Sequence, residues 1–178
     1  VWYEKTLVEW KLREKGGGLV KIHPADSDLL NRCSRDSQNR LLTPSGETQL
    51  TTTANHYGYA LIEDTPQKCV ISMTGSQLKH SRYFNTLIQG TKMDGEKGSF
   101  TPPSYSHWYT IKTQTESNDR GSWYSYSISQ ERSLNTKETD LFTEAKDFSE
   151  FCAGGGMNQL PNKSANTEAI EDNSKALY

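Results

Sequence analysis

The chain has 178 residues, which is the length of one domain with enough residues for a hydrophobic core. Hydrophobic residues make up 33% of it, and the abundant Ser, Thr, Asn and Gly indicate a β-rich domain with long polar loops, not a large α/β enzyme. The formal net charge is −2, so bulk electrostatics give no argument for a nucleic-acid partner.

Five segments have the apolar alternation, or the β-branched and aromatic content, that is typical of strands. In chain order they are residues 1–13, 48–63, 69–73, 107–115 and 122–130. The alternation in the first strand places Trp10 and Leu12 on one half-buried face. The glycines at 16–18 then break the strand. A tight turn at 64–68 and a polar loop at 116–121 predict two hairpins.

Two segments have helical periodicity. The first begins after Ser76, which can cap it, and ends at Gly90. Its apolar stripe consists of Leu78, Phe84, Leu87 and Ile88, and its polar side carries Lys79, His80 and Arg82. The second covers about residues 137–152, with a stripe of Leu141, Ala145, Phe148 and Cys152.

The order of these elements predicts a mainly β fold. A five-stranded Greek-key barrel with a helix between strands three and four is the OB-fold arrangement, here with a C-terminal helix added. The expected domain is OB-like and covers residues 1–152, and residues 153–178 form a disordered polar tail. A different small β-barrel or an α+β sandwich is the alternative.

Three cysteines, Cys33, Cys69 and Cys152, are an odd number without metal-ligand spacing, which predicts free thiols in a reducing compartment. No run is long enough to span a membrane, and no signal peptide is visible, so no membrane partner is expected. Val1 lies inside the first predicted strand and is not a methionine. We therefore expect that the protein's true N-terminus lies upstream.

The fourth and fifth strands carry the most informative pattern. One face of this hairpin consists of Tyr109, Ile111, Tyr124, Tyr126 and Ile128, which are typical of a core. The other face combines a tryptophan from each strand, Trp108 and Trp123, with Thr, Ser and Lys. A tryptophan ring among such residues is unusual unless a flat ligand stacks on it.

Single-stranded nucleic acid is such a ligand, because its bases stack on aromatic rings and its phosphates attract cations. The predicted nucleic-acid-binding residues are Trp10, Lys11, Arg13, Lys79, Arg82, Trp108, Lys112, Arg120 and Trp123. The alternative is that Trp108 and Trp123 are cross-strand partners covered by the C-terminal helix through Phe148. The basic helix face is equally compatible with an ordinary solvated surface.

Signals for catalysis are weak. The histidines His23, His56, His80 and His107 are isolated, and no metalloprotease or nucleophile-elbow motif occurs. Four carboxylates, Asp26, Asp28, Glu63 and Asp64, are candidates for a divalent metal of a nuclease, although Glu63 and Asp64 are better explained by a turn. We therefore expect a protein that is not an enzyme and needs no cofactor or metal.

Two stretches resemble a family encoded by tailed bacteriophages. Residues 8–18, VEWKLREKGGG, are similar to the family's opening, and residues 72–85, SMTGSQLKHSRYFN, are similar to a second segment. The pairs Trp108-Tyr109 and Trp123-Tyr124 resemble its aromatic hairpin. The similarity covers about residues 1–152. It implies a phage origin, the host cytoplasm and a role in DNA replication or recombination.

Two functional hypotheses follow. In the first, the chain is an OB-like single-stranded DNA-binding protein, with the C-terminal helix and tail contacting replication or recombination proteins. In the second, it is a structural or interaction protein of the phage whose aromatic face is a protein interface. A metal-dependent nuclease is a weaker third, and homo-oligomer formation stays open in all of them.

Overall fold

The structure is a computed structural model, and it describes residues 1–119 and 121–156. The strands in those residues are β1 (Trp2–Lys11), β2 (Leu19–Pro24), β3 (Ser34–Arg35), β4 (Leu41–Leu42), β5 (Thr48–Ile62), β6 (Thr65–Thr74), β7 (Met93–Gly95), β8 (Gly98–Phe100), β9 (His107–Asn118) and β10 (Gly121–Ser133). The α-helices are α1 (Leu78–Gly90) and α2 (Thr139–Ala153). Neither helix has the length and apolar content needed to cross a membrane. All three cysteines are free.

The long strand β5 is the centre of the main sheet. Along one edge it pairs antiparallel with β1, from Trp2 opposite Tyr57 to Lys11 opposite Thr48. Its other edge pairs first with the short β4 and then with β6. The order is β2-β1-β5-β4-β3, with β6 also on β5, while β7–β8 and β9–β10 form separate antiparallel pairs.

The turn between β5 and β6 consists of two residues, Glu63 and Asp64, with φ angles of 49° and 60°. Positive φ at both positions is the backbone of the two-residue turn that matches the right-handed twist of paired strands. The hairpin expected here is therefore confirmed, with its turn placed slightly earlier than residues 64–68 and with both carboxylates in the turn.

The core lies where α1 meets the sheet and the β9–β10 hairpin. Its buried side chains are Ala54, Met73, Phe84 and Ile128. The predicted apolar stripe of α1 is confirmed, because Leu78, Leu87 and Ile88 pack against this cluster. Directly after the helix, Thr91 Oγ1 donates a hydrogen bond to Gln130 Oε1 at 2.7 Å, which ties the end of α1 to β10.

The second helix covers the end of β5. Its Phe148 contacts Tyr59 edge to face at 5.8 Å between ring centroids, and its Phe142 contacts Tyr105 at 5.3 Å. A capping box precedes the helix, in which the Asn135 side chain accepts from the backbone of the following turn and the Glu138 side chain accepts from the Asn135 backbone N–H. The predicted position of this helix, about residues 137–152, is confirmed to within two residues.

The mainly β class is confirmed, but the described strands form open antiparallel sheets and do not close a barrel. Sequence reasoning missed β2, which pairs with β1 beyond the glycines. It also placed Trp10 on a half-buried face, whereas the residue is 39% exposed and the burial on β1 is concentrated at Thr6, Leu7 and Val8. Three consecutive buried residues mean that both faces of β1 are covered there.

Candidate nucleic-acid interface

The β9–β10 hairpin is joined to the first turn of α1 by side-chain hydrogen bonds. Gln77 Nε2 donates to the backbone oxygen of Tyr124 at 2.8 Å. Lys79 Nζ donates to Glu116 Oε2 at 2.5 Å, and His80 Nε2 lies 3.0 Å from the other oxygen of Glu116. The start of α1 and the hairpin therefore form one connected unit.

Glu116 is the electrostatic centre of this junction. The hydrogen bond from the Lys79 ammonium, together with one from Ser125, lowers the pKa of the Glu116 carboxyl to about 2. The carboxylate is therefore ionised at neutral pH and neutralises Lys79. As a result, the exposed Lys79 ammonium is paired with a carboxylate and is less available to a phosphate than the sequence suggested.

The same junction contains Ser125, His80 and Glu116, a set of residue types that also occurs in hydrolase triads. Ser125 Oγ lies 3.0 Å from His80 Nε2, and Glu116 Oε1 lies 3.0 Å from that same nitrogen. A catalytic triad needs the serine and the carboxylate on opposite nitrogens of the imidazole. Ser125 is also only 3% exposed. The arrangement is suited to holding the helix on the hairpin, not to nucleophilic attack.

We expect that Ser125→Ala lowers the free energy of unfolding by about 1 kcal/mol, because it removes a buried hydroxyl while leaving His80 and Glu116 bonded to each other. Urea denaturation measures the change. The matched control is Ser127→Ala, an exposed serine two residues along the same face of the strand, which should change stability little. Equal effects of the two substitutions would contradict this assignment.

Helix α1 and the β9–β10 hairpin carry two cations and three aromatic rings outside the buried core, which together we call the helix–hairpin surface: Arg82, Tyr83, Lys112, Trp123 and Tyr124. Trp123 and Lys112 share one face of the hairpin, and Tyr124 lies on the opposite face. Tyr83 is 53% exposed and Tyr124 is 75% exposed, while Trp123 is half-buried. Arg82 and Lys112 are exposed, and neither forms an ion pair with any residue that the structure describes.

Two of these rings, Tyr83 and Tyr124, were missed by sequence reasoning. Tyr124 has the parity of the core residues Tyr126 and Ile128, so alternation predicted that it is buried. It lies opposite Thr115 and only three residues from the start of β10, and its side chain is 75% exposed, whereas Ile128 on the same face is buried. The position of Tyr124 near the hairpin end was the sequence signal that could have predicted its exposure. Tyr83 lies beside Arg82 on the outer side of α1.

Trp108 has a different environment from the other predicted stacking residues. It is half-buried, and its Nε1 donates to Glu138 Oε1 at 2.9 Å, just before α2 begins. It shares a cavity wall with Leu141 and Phe148 of that helix. Helix α2 therefore lies against Trp108, as the alternative predicted, but the prediction that Trp108 and Trp123 are cross-strand partners is wrong, because Trp108 lies opposite Arg132. Trp123 differs, since it lies opposite Glu116 near the hairpin end.

The predicted residues at the end of β1 form a separate group. Trp10, Lys11 and Arg13 are exposed, and Trp10 pairs with Gln49 at the start of β5. Helix α1 contacts β5 at His56, which is seven residues beyond Gln49 along the strand. At the rise of a β-strand, these two positions are roughly 23 Å apart. The structure therefore places this group away from the helix–hairpin surface.

Arg120, the remaining predicted phosphate contact, lies outside the described residues. The carboxylates considered for a nuclease metal do not come together: over residues 1–119 and 121–156, no group of three or more His, Cys, Asp or Glu side chains has the arrangement of a metal site. Asp26, Asp28, Glu63 and Asp64 are all exposed, and the last two form the β5–β6 turn.

Comparison with known protein families identifies a relationship that covers most of the chain. The model of the family described as Pam3 phage gp34-like protein matches residues 1–158. No curated protein and no solved structure matches the chain.

Proposed function

Because the chain belongs to the Pam3 phage gp34-like protein family, we propose that it serves the phage by binding single-stranded DNA through the helix–hairpin surface, during DNA replication or recombination in the host cytoplasm. Membership of a phage family agrees with the resemblance found in the sequence. The proposal does not need a closed OB-like barrel, because a stacking surface requires only exposed rings beside cations.

The observation that carries the proposal is the exposure of Tyr83 and Tyr124. Burying an aromatic ring is favourable, and these two rings are the most exposed aromatic side chains among the described residues, so they are free to stack on a ligand. A ring stacked on a base contributes roughly 1–3 kcal/mol by alanine substitution, whatever the base. Trp123, in the same connected unit, offers a third ring.

The charges favour the same surface. Arg82 and Lys112 are free of ion pairs within the described residues, so phosphates do not have to displace a carboxylate to reach them. Acidic side chains are concentrated instead on α2, at Asp140, Glu144, Asp147 and Glu150. Helix α1 contains no acidic residue, so a strand of DNA is attracted to α1 and repelled from α2.

We expect a fluorescein-labelled oligothymidylate to bind with an affinity that falls as salt rises, because bound phosphates release counterions. The double variant Arg82→Ala, Lys112→Ala should reduce the slope of log K against log salt by roughly 0.7 for each phosphate that the variant no longer neutralises. Tyr124→Ala should weaken binding without changing that slope, since stacking involves no counterion. Fluorescence anisotropy at several salt concentrations measures both quantities.

Lys146→Ala is the matched control, because this exposed lysine lies on the acidic helix α2 and should leave binding unchanged. Intrinsic fluorescence adds an independent readout: DNA should quench Trp123, and the covered Trp108 should contribute little to the quenching. Binding that ignores salt, or that survives all of the substitutions on the helix–hairpin surface, would refute the proposal.

A second candidate is the interaction protein, which has one specific observation in its favour. Three apolar side chains on the β5–β6 hairpin are about half exposed: Leu61 at 52%, Ile62 at 47% and Val70 at 50%. Leu61 and Val70 share one face of this hairpin, since Val70 lies opposite Tyr57, four residues from Leu61. Exposed apolar groups on one face are a feature of protein interfaces. This candidate becomes the better one if the DNA titration gives no signal at low salt.

A further inference from the structure

A cavity of about 360 Å³ lies between the end of β5, the start of β9 and helix α2. Its walls are residues 56–61 of β5, residues 107–111 of β9, and Leu141, Ala145 and Phe148 of α2. None of the five residues of the helix–hairpin surface lines it. Whatever it binds is therefore separate from the proposed DNA contacts.

The volume fits a bicyclic molecule. A cavity of roughly 150 Å³ lined by aliphatic and aromatic groups holds benzene, and ligand pockets start at about 300 Å³. The cavity is therefore large enough for two fused rings and too small for a long lipid chain. Natural cores contain few voids of this size, because the atoms around unfilled space have fewer neighbours for dispersion attraction.

The walls favour a flat aromatic ligand. Phe148 contacts Tyr59 edge to face, with 79° between the ring planes, and Phe84 contacts Tyr109 at 75°. Rings held edge to face by such pairs present fixed surfaces, against which another ring can pack in the offset or edge geometry that aromatic groups prefer. Trp108 is held in place by its hydrogen bond to Glu138.

The ionisable groups around the cavity include charges of both signs. His56 is 2% exposed, and burial lowers its pKa to about 4, so its imidazole is neutral at pH 7. Burial and then the Glu144 carboxylate raise the pKa of Tyr59, which shows that this carboxylate lies close to the wall. Lys68 lies over the Phe148 ring at 5.1 Å, and Val1 also lines the cavity. The volume and the ring geometry, and not the charge, therefore indicate the class of ligand.

From this volume and ring geometry we infer that the cavity is a binding site for a planar aromatic molecule of up to two fused rings. Such a ligand fills the space between the aromatic walls and packs its ring faces and edges against Tyr59, Tyr109 and Phe148.

Isothermal titration calorimetry of the full chain with 2-naphthol tests the inference. We expect saturable binding of 2-naphthol, and binding of cyclohexanol that is at least roughly tenfold weaker, because cyclohexanol has a hydroxyl but no planar aromatic ring. A wild-type protein that gives no heat with 2-naphthol, or that binds both probes equally, overturns the inference.

Ala145→Phe places a ring inside the cavity and should weaken 2-naphthol binding by at least roughly tenfold. Its control is Ala153→Phe, because Ala153 is exposed at the end of α2 and does not line the cavity. Circular dichroism checks that each variant folds, and Leu141→Phe replaces Ala145→Phe if the latter does not. If a folded variant with the added ring binds 2-naphthol as tightly as the wild type does, 2-naphthol binds elsewhere and the proposed site is refuted.

Discussion

Replacing Phe84 by alanine should lower the free energy of unfolding by about 3–5 kcal/mol, which is a large part of the stability of an ordinary domain. Phe84 is 1% exposed and lies in the centre of the core. Its ring contacts the rings of His56 and Tyr109 at 4.9 and 5.0 Å. Alanine would leave a cavity between α1, β5 and β9 that rigid neighbouring strands cannot fill.

Urea denaturation followed by circular dichroism measures the decrease. Tyr83→Ala is the matched control: it removes a ring from the preceding position of the same helix, but that ring is 53% exposed and should contribute little to stability. If the two substitutions cost the same, Phe84 is not the centre of the core. Tyr83→Ala also serves the DNA experiment, since it separates a binding effect from a folding effect.

Acidification from pH 6.5 to pH 4 should cost about 3 kcal/mol of stability through His56 alone. Burial lowers the pKa of this imidazole from its ordinary value of 6.5 to about 4. Between those values the unfolded chain binds a proton that the folded protein does not bind. The contribution of His56 to stability is therefore present above pH 6.5 and is lost as the pH decreases toward 4.

The contribution of His56 is separated from that of the glutamates between pH 6.5 and pH 4.5. Below pH 4.5, Glu116 and Glu138 also contribute, because hydrogen bonds from Lys79 and Arg132 respectively lower their pKa values to about 2, and their stabilisation is lost as they become protonated. His107 acts in the same direction as His56, since burial lowers its pKa too. Urea denaturation at several pH values gives the curve.

His56→Asn should flatten this curve within that pH range, although it also costs stability at neutral pH by removing the hydrogen bond to Ser81 at 2.9 Å. The slope of stability against pH, and not the absolute free energy, is therefore the quantity to compare. A variant with the wild-type slope would mean that other groups take up the proton.

Segments with strong periodicity were predictable from the sequence. The stripe of α1 has its apolar groups at helical spacing, and the β5–β6 turn is flanked by two strand-like runs, so local chemistry was sufficient for both. Strand β2 was not predictable in this way, because most of its side chains are exposed and its position depends on pairing with β1. Barrel closure is likewise decided by long-range pairing.

The candidate site shows the same division. Alternation identified Trp123 and Lys112 as one face of the hairpin, and both lie on the helix–hairpin surface. It predicted Tyr124 to be buried, because parity says which face a side chain is on but not how far along the strand that face is covered. It also could not distinguish Lys79 from Arg82, since only the fold brings Glu116 beside the first of them.

The open sheet leaves two long strands, β2 and β6, each paired on a single side within the described residues. Unpaired strand edges invite other chains to add to them, and proteins that keep such edges protect them with proline and lysine. β2 carries Lys21 and Pro24, and β6 carries Pro66 and Lys68. Both edges thus contain the residues that oppose aggregation, so this fold can stay open without closing into a barrel.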